Sequence, residues 1–125
     1  MLNLDTHILV DALEGTLKSS EHRILTSDRW SISAIVLWEL AKLAQLGRIE
    51  LDLDDRRVER TLRQIHTWPL TVEVCRTSCQ LDFSSDPADE LIAATSIVHD
   101  LPLVTRDRTI RGSGLVPLAG SASLL

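Results

Sequence analysis

Leu2, Asn3 and Leu4 open the chain as a short apolar run that stops at Asp5, and Thr6-His7-Ile8-Leu9-Val10 continues into a helical turn. The pattern predicts a strand that ends on an acid. Ser19 or Ser20 is placed to cap a helix over residues 21–25. Trp30-Ser31-Ile32-Ser33 alternates as a strand does and runs into a helix over 34–46, where Ile35, Trp38, Leu40, Leu43 and Leu46 recur at helical spacing. Gly47 supplies the stop. Residues 54–66 predict a highly charged helix with a stripe of Val58, Leu62 and Ile65, broken by Pro69. Leu70-Thr71-Val72-Glu73-Val74 reads as a third strand, with a short helix around 76–81 behind it. Asp86-Pro87 opens the best-defined helix, which runs to about His99. Leu103-Val104-Thr105 predicts a fourth strand, and Leu115-Val116-Pro117 a fifth at a sheet edge, where proline is tolerated.

Strands alternating with helices mean βαβ units, hence an α/β fold: a mainly parallel sheet of about five strands with helices on both faces. Sites in such sheets form beyond the carboxyl ends of the strands, near a switch in strand order. The 125 residues fit one compact domain with its core over about 2–117 and a loose tail at 121–125.

Composition narrows the function classes. Apolar residues make up 44% of the chain, an ordinary globular value. The longest apolar runs, such as 91–98, are too short and interrupted to span a bilayer. The N-terminus lacks a basic stretch followed by a long apolar one, so a cytosolic location is expected. Cys75 and Cys79 are one helical turn apart, but no second Cys or His pair follows at zinc spacing; they read as small residues on a helix face. The net charge of -5 runs against a nucleic-acid binder at first sight, yet distribution matters more than the sum, and the value neither supports nor excludes an RNA substrate. The arginines nevertheless cluster, with Arg56, Arg57, Arg60 and Arg63 in one stretch and Arg106, Arg108 and Arg111 in another.

The acids carry the chemistry. Asp5 ends the first strand and Asp107 follows the fourth; Asp86 and Asp89 start the helix before that strand, and Glu39 lies early in the helix after the second. In a parallel sheet they converge on one rim. Two like charges at 4 Å repel by roughly 1 kcal/mol in water and about 4 kcal/mol at an effective dielectric of 20. Several together take up protons, move apart or hold a cation. Hard oxygen ligands suit Mg²⁺ or Mn²⁺, which polarises a phosphoryl oxygen and acidifies a water that attacks phosphorus. Each acid also has a plainer reading. Asp5 and Asp86 can cap helices, Asp89 can reach back to the cap, and Asp107 can form a salt-bridged turn. Glu39, between Trp38 and Leu40 on a helix expected to be mostly buried, is hardest to dismiss as solvated surface.

Other chemistries lack support. His7, His22, His66 and His99 are scattered, Ser33 and Thr95 have no Ser-His-Asp arrangement, and the five glycines form no phosphate loop. Trp30, Trp38 and Trp68 read as core or edge packing rather than base-stacking platforms.

Four segments resemble the motifs of PIN domains, especially VapC-type toxins. Leu4-Asp5-Thr6-His7 resembles the opening strand, and the segment from Ser33 to Leu40 the second motif, with Glu39 as its glutamate. Asp86-Pro87-Ala88-Asp89-Glu90-Leu91-Ile92-Ala93-Ala94-Thr95 is similar to the third, with Asp89 in the metal-binding place. Leu103-Val104-Thr105-Arg106-Asp107 resembles the fourth and places Asp107. The motifs stand in the family's order over nearly the whole chain. One departure is Glu90, where the family often has arginine directly after the third acid.

The resemblance implies a three-layer α/β/α fold and Mg²⁺- or Mn²⁺-dependent endoribonuclease activity, with Asp5, Glu39, Asp89 and Asp107 as metal-binding catalytic residues. Thr6 and Thr105, at hydroxyl positions of the family, and Asp86 are expected to support them. It also implies a homodimer and inhibition by a cognate VapB-type antitoxin. Arg106, Arg108, Lys42 and Arg48 are candidate RNA contacts. Two other readings stay open: a metal-dependent small-molecule phosphatase, and a non-catalytic binding module whose acids merely cap helices.

Overall fold

The computed structural model describes residues 1–120, so the expected loose tail at 121–125 lies outside the described residues. Four parallel strands, β1 (Leu2–Leu4), β2 (Trp30–Ser33), β3 (His66–Trp68) and β4 (Leu103–Val104), form one sheet in the order β3-β2-β1-β4. Leu2 pairs with Trp30, Asn3 with Leu103, and Ile32 with Thr67. The helices α1 (Thr6–Glu14), α2 (Ser19–Leu25), α3 (Ala34–Gln45) and α4 (Arg56–Gln64) lie in the first two crossovers. The third crossover carries α5 (Val72–Ser78) and α6 (Pro87–His99) back past β2 and β1, and α7 (Arg108–Arg111) follows β4. Right-handed crossovers in opposite directions put the two groups of helices on opposite faces, which makes a three-layer α/β/α sandwich.

Alternation along β1 sorts its side chains between those layers. Leu4, fully buried with Ile8, Ile32, Val36 and Leu40, packs into the core. Asn3 points to the other face, where its Nδ2 donates to Ser96 Oγ at 2.9 Å and to the Ile92 carbonyl at 3.3 Å. The run Ala93-Ala94-Thr95-Ser96 is wholly buried, so small side chains bring α6 close to the sheet.

The third crossover departs from the sequence expectation. The edge strand is His66–Trp68, and the stretch expected as a strand, 70–74, enters α5. A half-buried strand would bury Leu70, Val72 and Val74 alike. Only Val74 is buried, while Leu70 is 40% and Val72 71% exposed. Thr71 is the N-cap, its Oγ1 accepting the Val74 N–H at 3.2 Å, and Glu73 complements the first turn. The helix expected around 76–81 is the tail of α5, and the charged helix expected over 54–66 ends at Gln64.

Three smaller corrections apply. Lys18, not Ser19 or Ser20, is the N-cap of α2; its backbone N–H donates to Glu21 Oε1 at 2.9 Å. The expected fifth strand at 115–117 is reduced to a single parallel bridge between Leu103 and Leu118. Trp38 is 56% exposed rather than packed, and Cys75 and Cys79 are free and exposed instead of filling a helix face. Gly47 does close α3, adopting a left-handed φ of 69° and donating to the Ala44 carbonyl.

Candidate active site

The carboxyl ends of β1 and β4, the second turn of α3 and the first turn of α6 surround one cleft of about 410 Å³. Asp5, Glu39, Asp86, Asp89 and Asp107 all line it, with His7 and Arg106 at its margin. Strand order explains the convergence: β1 lies beside β4, the last strand, and the switch opens a crevice at that seam.

Asp5 is 6% exposed. Its Oδ1 accepts the Thr6 N–H at 2.8 Å, which caps α1, and its Oδ2 accepts the Thr105 hydroxyl at 2.6 Å. Thr105 Oγ1 in turn accepts the Asp107 N–H at 3.1 Å, so one hydroxyl ties the two strand-end acids together. The Thr6 hydroxyl donates to Glu39 Oε1 at 2.5 Å. Ser85 donates through Oγ to Asp89 Oδ2 at 3.1 Å. Asp107 Oδ1 accepts the N–H groups of Thr109 and Ile110, capping the short helix α7. Asp5, Glu39, Asp89 and Asp107 are each oriented by a donor, yet the acids on the cleft wall also face one another.

Their protonation reflects that crowding. Burial first, then the nearby Asp5, Glu39 and Asp107 carboxylates, push Asp89 up to about 6, against the Ser85 hydrogen bond. Burial also raises Glu39, with Asp5 and Asp86 adding to the shift, while Thr6 and His7 oppose it. The acids are thus held near one another with no Lys or Arg ion-paired to them among the described residues. Arg106 does not fill that role. Its Nε and Nη2 donate to Glu21 at 2.5 and 2.6 Å, and its Nη1 pairs with Asp11 at 2.6 Å.

Among the described residues no three of His, Cys, Asp and Glu are drawn together tightly enough to chelate an ion by themselves. The donor set still fits Mg²⁺ or Mn²⁺, since every donor is a carboxylate and Asp89 is electrostatically frustrated without a cation. Magnesium usually keeps several waters and takes only one or two carboxylates directly.

Other expected residues fall differently. Asp86 occupies the N-cap of α6 but makes no side-chain cap; its exposed carboxyl lines the cleft instead. Asp89 likewise does not reach back to the cap; Glu90 Oε2 accepts the Ser85 N–H at 3.3 Å there. Lys42, Arg48 and Arg108 are exposed and do not line the cleft. Sequence reading missed Ser85, Asp11 and Glu21. Ser85 stands one helical turn before Asp89, a visible spacing, whereas the Arg106 partners lie 85 and 95 residues away and give no local sign.

The PIN domain profile matches residues 3–112. The chain belongs to the PIN domain family. Within its range of relatives, the ribonuclease VapC22 of Mycobacterium tuberculosis is 38% identical over 88 residues, 68% of each chain. Three solved structures share the PIN-like fold. They are a toxin–antitoxin complex from Klebsiella pneumoniae (TM-score 0.70, 21% identity, 90% of this chain and 92% of that one); VapBC2 of Rickettsia felis bound to a promoter DNA fragment (0.70, 20%, 94% and 97%); and FitAcB of Neisseria gonorrhoeae (0.65, 22%, 95% and 96%). The PIN cleft described above lies inside the matched region. No helix among the described residues is long and apolar enough to cross a membrane.

Proposed function

We propose that this PIN domain is a metal-dependent endoribonuclease, the toxin of a toxin–antitoxin pair, acting on RNA in the cytosol. The observation that carries the reading is the set of oriented carboxylates in one open cleft at the sheet's switch point. The VapC22 relative, a ribonuclease by name, supports the substrate class, and the toxin–antitoxin structures support the partner.

Asp5, Glu39, Asp89 and Asp107 would hold Mg²⁺ or Mn²⁺. When bound, such an ion supplies Lewis-acid polarisation of a phosphoryl oxygen and a more acidic water. The chain's own residues do the remainder. Thr105 and Thr6 fix the Asp5 and Glu39 oxygens, so that little reorganisation accompanies substrate entry. Ser85 likewise fixes an Asp89 oxygen through its hydroxyl, so that this carboxylate stands ready at the cleft wall. A small-molecule phosphatase would need walls that enclose its substrate, whereas this cleft lies open to a polymer strand. A binding module that uses its acids only as caps is disfavoured by Asp89 and Glu39, which cap nothing.

Association partners are a second copy and a VapB-type antitoxin. Leu37 and Trp38 on α3 and Leu46 at its C-cap are 39%, 56% and 63% exposed, apolar surface of the kind that association covers.

Purified protein incubated with a mixed cellular RNA pool, with Mg²⁺, with Mn²⁺ and with chelator, tests the activity. Cutting at discrete sites is expected only with metal and is lost in Asp5→Asn and Asp89→Asn. A folded, metal-binding protein that leaves every RNA intact would overturn the reading.

A further inference from the structure

Beside the acidic cleft, across the end of β4, lies a second hollow of about 390 Å³. Its character is opposite. Lys18, Arg23, Arg106 and Arg111 stand around it, with Ile24 and Val104 among its walls. Among the described residues Glu21 is the one acid that lines it, and both oxygens of that carboxylate are engaged by Arg106. Lys18 and Arg23 are exposed, and Lys18, Arg23 and Arg111 form no ion pair among the described residues. Arg106 is held by Glu21 and Asp11, and Arg111 Nη1 donates to the Thr105 carbonyl at 3.1 Å, which leaves the Lys18 and Arg23 side chains with no carboxylate partner among the described residues. Arg106 borders both hollows, so the cationic one opens beside the carboxylates.

We propose that this hollow is a phosphate-binding subsite for the RNA strand, holding a nucleotide next to the bond being cut. The proposal rests on the ribonuclease reading and adds to it the place where the strand is gripped. The chemistry fits a nucleotide: ammonium and guanidinium groups meet the phosphate, and aliphatic walls meet the ribose or base. The arrangement also solves an electrostatic problem. A polyanion approaching five carboxylates is repelled unless a nearby cationic surface draws it in. Arg106, held between Asp11 and Glu21, acts as the fixed partition between the two hollows, and Lys18, Arg23 and Arg111 make the contacts.

The test is the double variant Lys18→Ala/Arg23→Ala, whose side chains are exposed and bear on no carboxylate of the cleft. The control is Arg56→Ala/Arg60→Ala, the same charge change on α4, which leads into the opposite edge strand. Binding of short random-sequence single-stranded RNA is measured in an Asp89→Asn background over a salt series, and cleavage of the cellular RNA pool in the active background. Loss of two phosphate contacts is expected to weaken RNA binding about tenfold and lower the log–log salt slope by about 1.4. KM should rise with kcat little changed, and the control should match the parent. Unchanged affinity and KM in a cutting protein would overturn the subsite alone. An equal or larger loss in the α4 control would move the strand's path away from it. Polyglutamate is titrated in parallel; lost polyglutamate binding with RNA affinity intact would make the hollow a seat for an acidic polypeptide, against the proposal. A parent that cuts no RNA overturns the nuclease reading instead, and the binding series still decides the subsite.

Discussion

Asp89 is less stable in the fold than in the unfolded chain. Burial and three neighbouring carboxylates hold its pKa at about 6, against an unfolded value near 3.9. Below about pH 4 the group is protonated in both states and contributes nothing. Between about 4 and 6 the unfolded chain releases the proton first, so stability falls as pH rises, and above about 6 the loss is complete. Discounted for solvent screening of a half-buried group, it amounts to about 1 kcal/mol. Asp89→Asn is therefore expected to raise the melting temperature of the metal-free protein by roughly 3–5 °C at pH 8, with little difference at pH 4. Thermal melts at the two pH values check this; a variant no more stable than its parent at pH 8 would remove the electrostatic frustration we infer. The acid itself was legible from its place near the start of a Pro-opened helix. Its raised proton affinity was not, because that depends first on burial and then on Asp5, Glu39 and Asp107, remote in sequence and close only in the fold.

Helix termini separate two jobs that one carboxylate performs. Asp107 caps α7 through a single oxygen, Oδ1, which accepts two backbone N–H groups. Asparagine keeps such an acceptor and alanine does not. Asp107→Ala should cost about 1 kcal/mol of stability and Asp107→Asn less than about 0.5 kcal/mol. Both should lose RNA cleavage, as denaturant unfolding and the cellular-RNA assay will read. If Asn retains full activity, the residue serves as a cap alone. The same attention to caps would have corrected the sequence reading of 70–74. Its β-branched alternation suggests a strand, but Thr71 and Glu73 spell a helix start, and the local hydrogen bond wins over propensity. β3 escaped notice because His66-Thr67-Trp68 has only three residues. Its identity as a strand comes from pairing with Ser31, Ile32 and Ser33, and from the Trp68 ring stacked on His99 at 4.0 Å.

The molecule as a whole brings five of its eighteen acids to one seam of the sheet, and a bound cation should be felt as global stability. Mg²⁺ or Mn²⁺ at tenfold over its Kd should add about 1.4 kcal/mol to unfolding at pH 8. The gain should shrink below about pH 6, where Asp89 holds a proton in the ion's place. Calorimetric melts with and without metal at pH 8 and pH 5.5 measure it; an equal gain at both would mean that these carboxylates are not the ligands. Much of this architecture is written locally. A short apolar run ending in an acid, a strand flowing into a helix at Ser33, and an Asp-Pro helix start each depend on neighbours within a few residues, so periodicity and capping chemistry reveal them. The parallel sheet follows from their alternation. What distant packing alone sets is who meets whom. Thr105 reaches Asp5 across 100 positions, Thr6 reaches Glu39 across 33, and Arg106 is drawn to Glu21 and Asp11. Those contacts turn separate acids into a cleft and one arginine into its partition, because a side chain's partners are fixed by the crossing of whole elements, which no local pattern encodes.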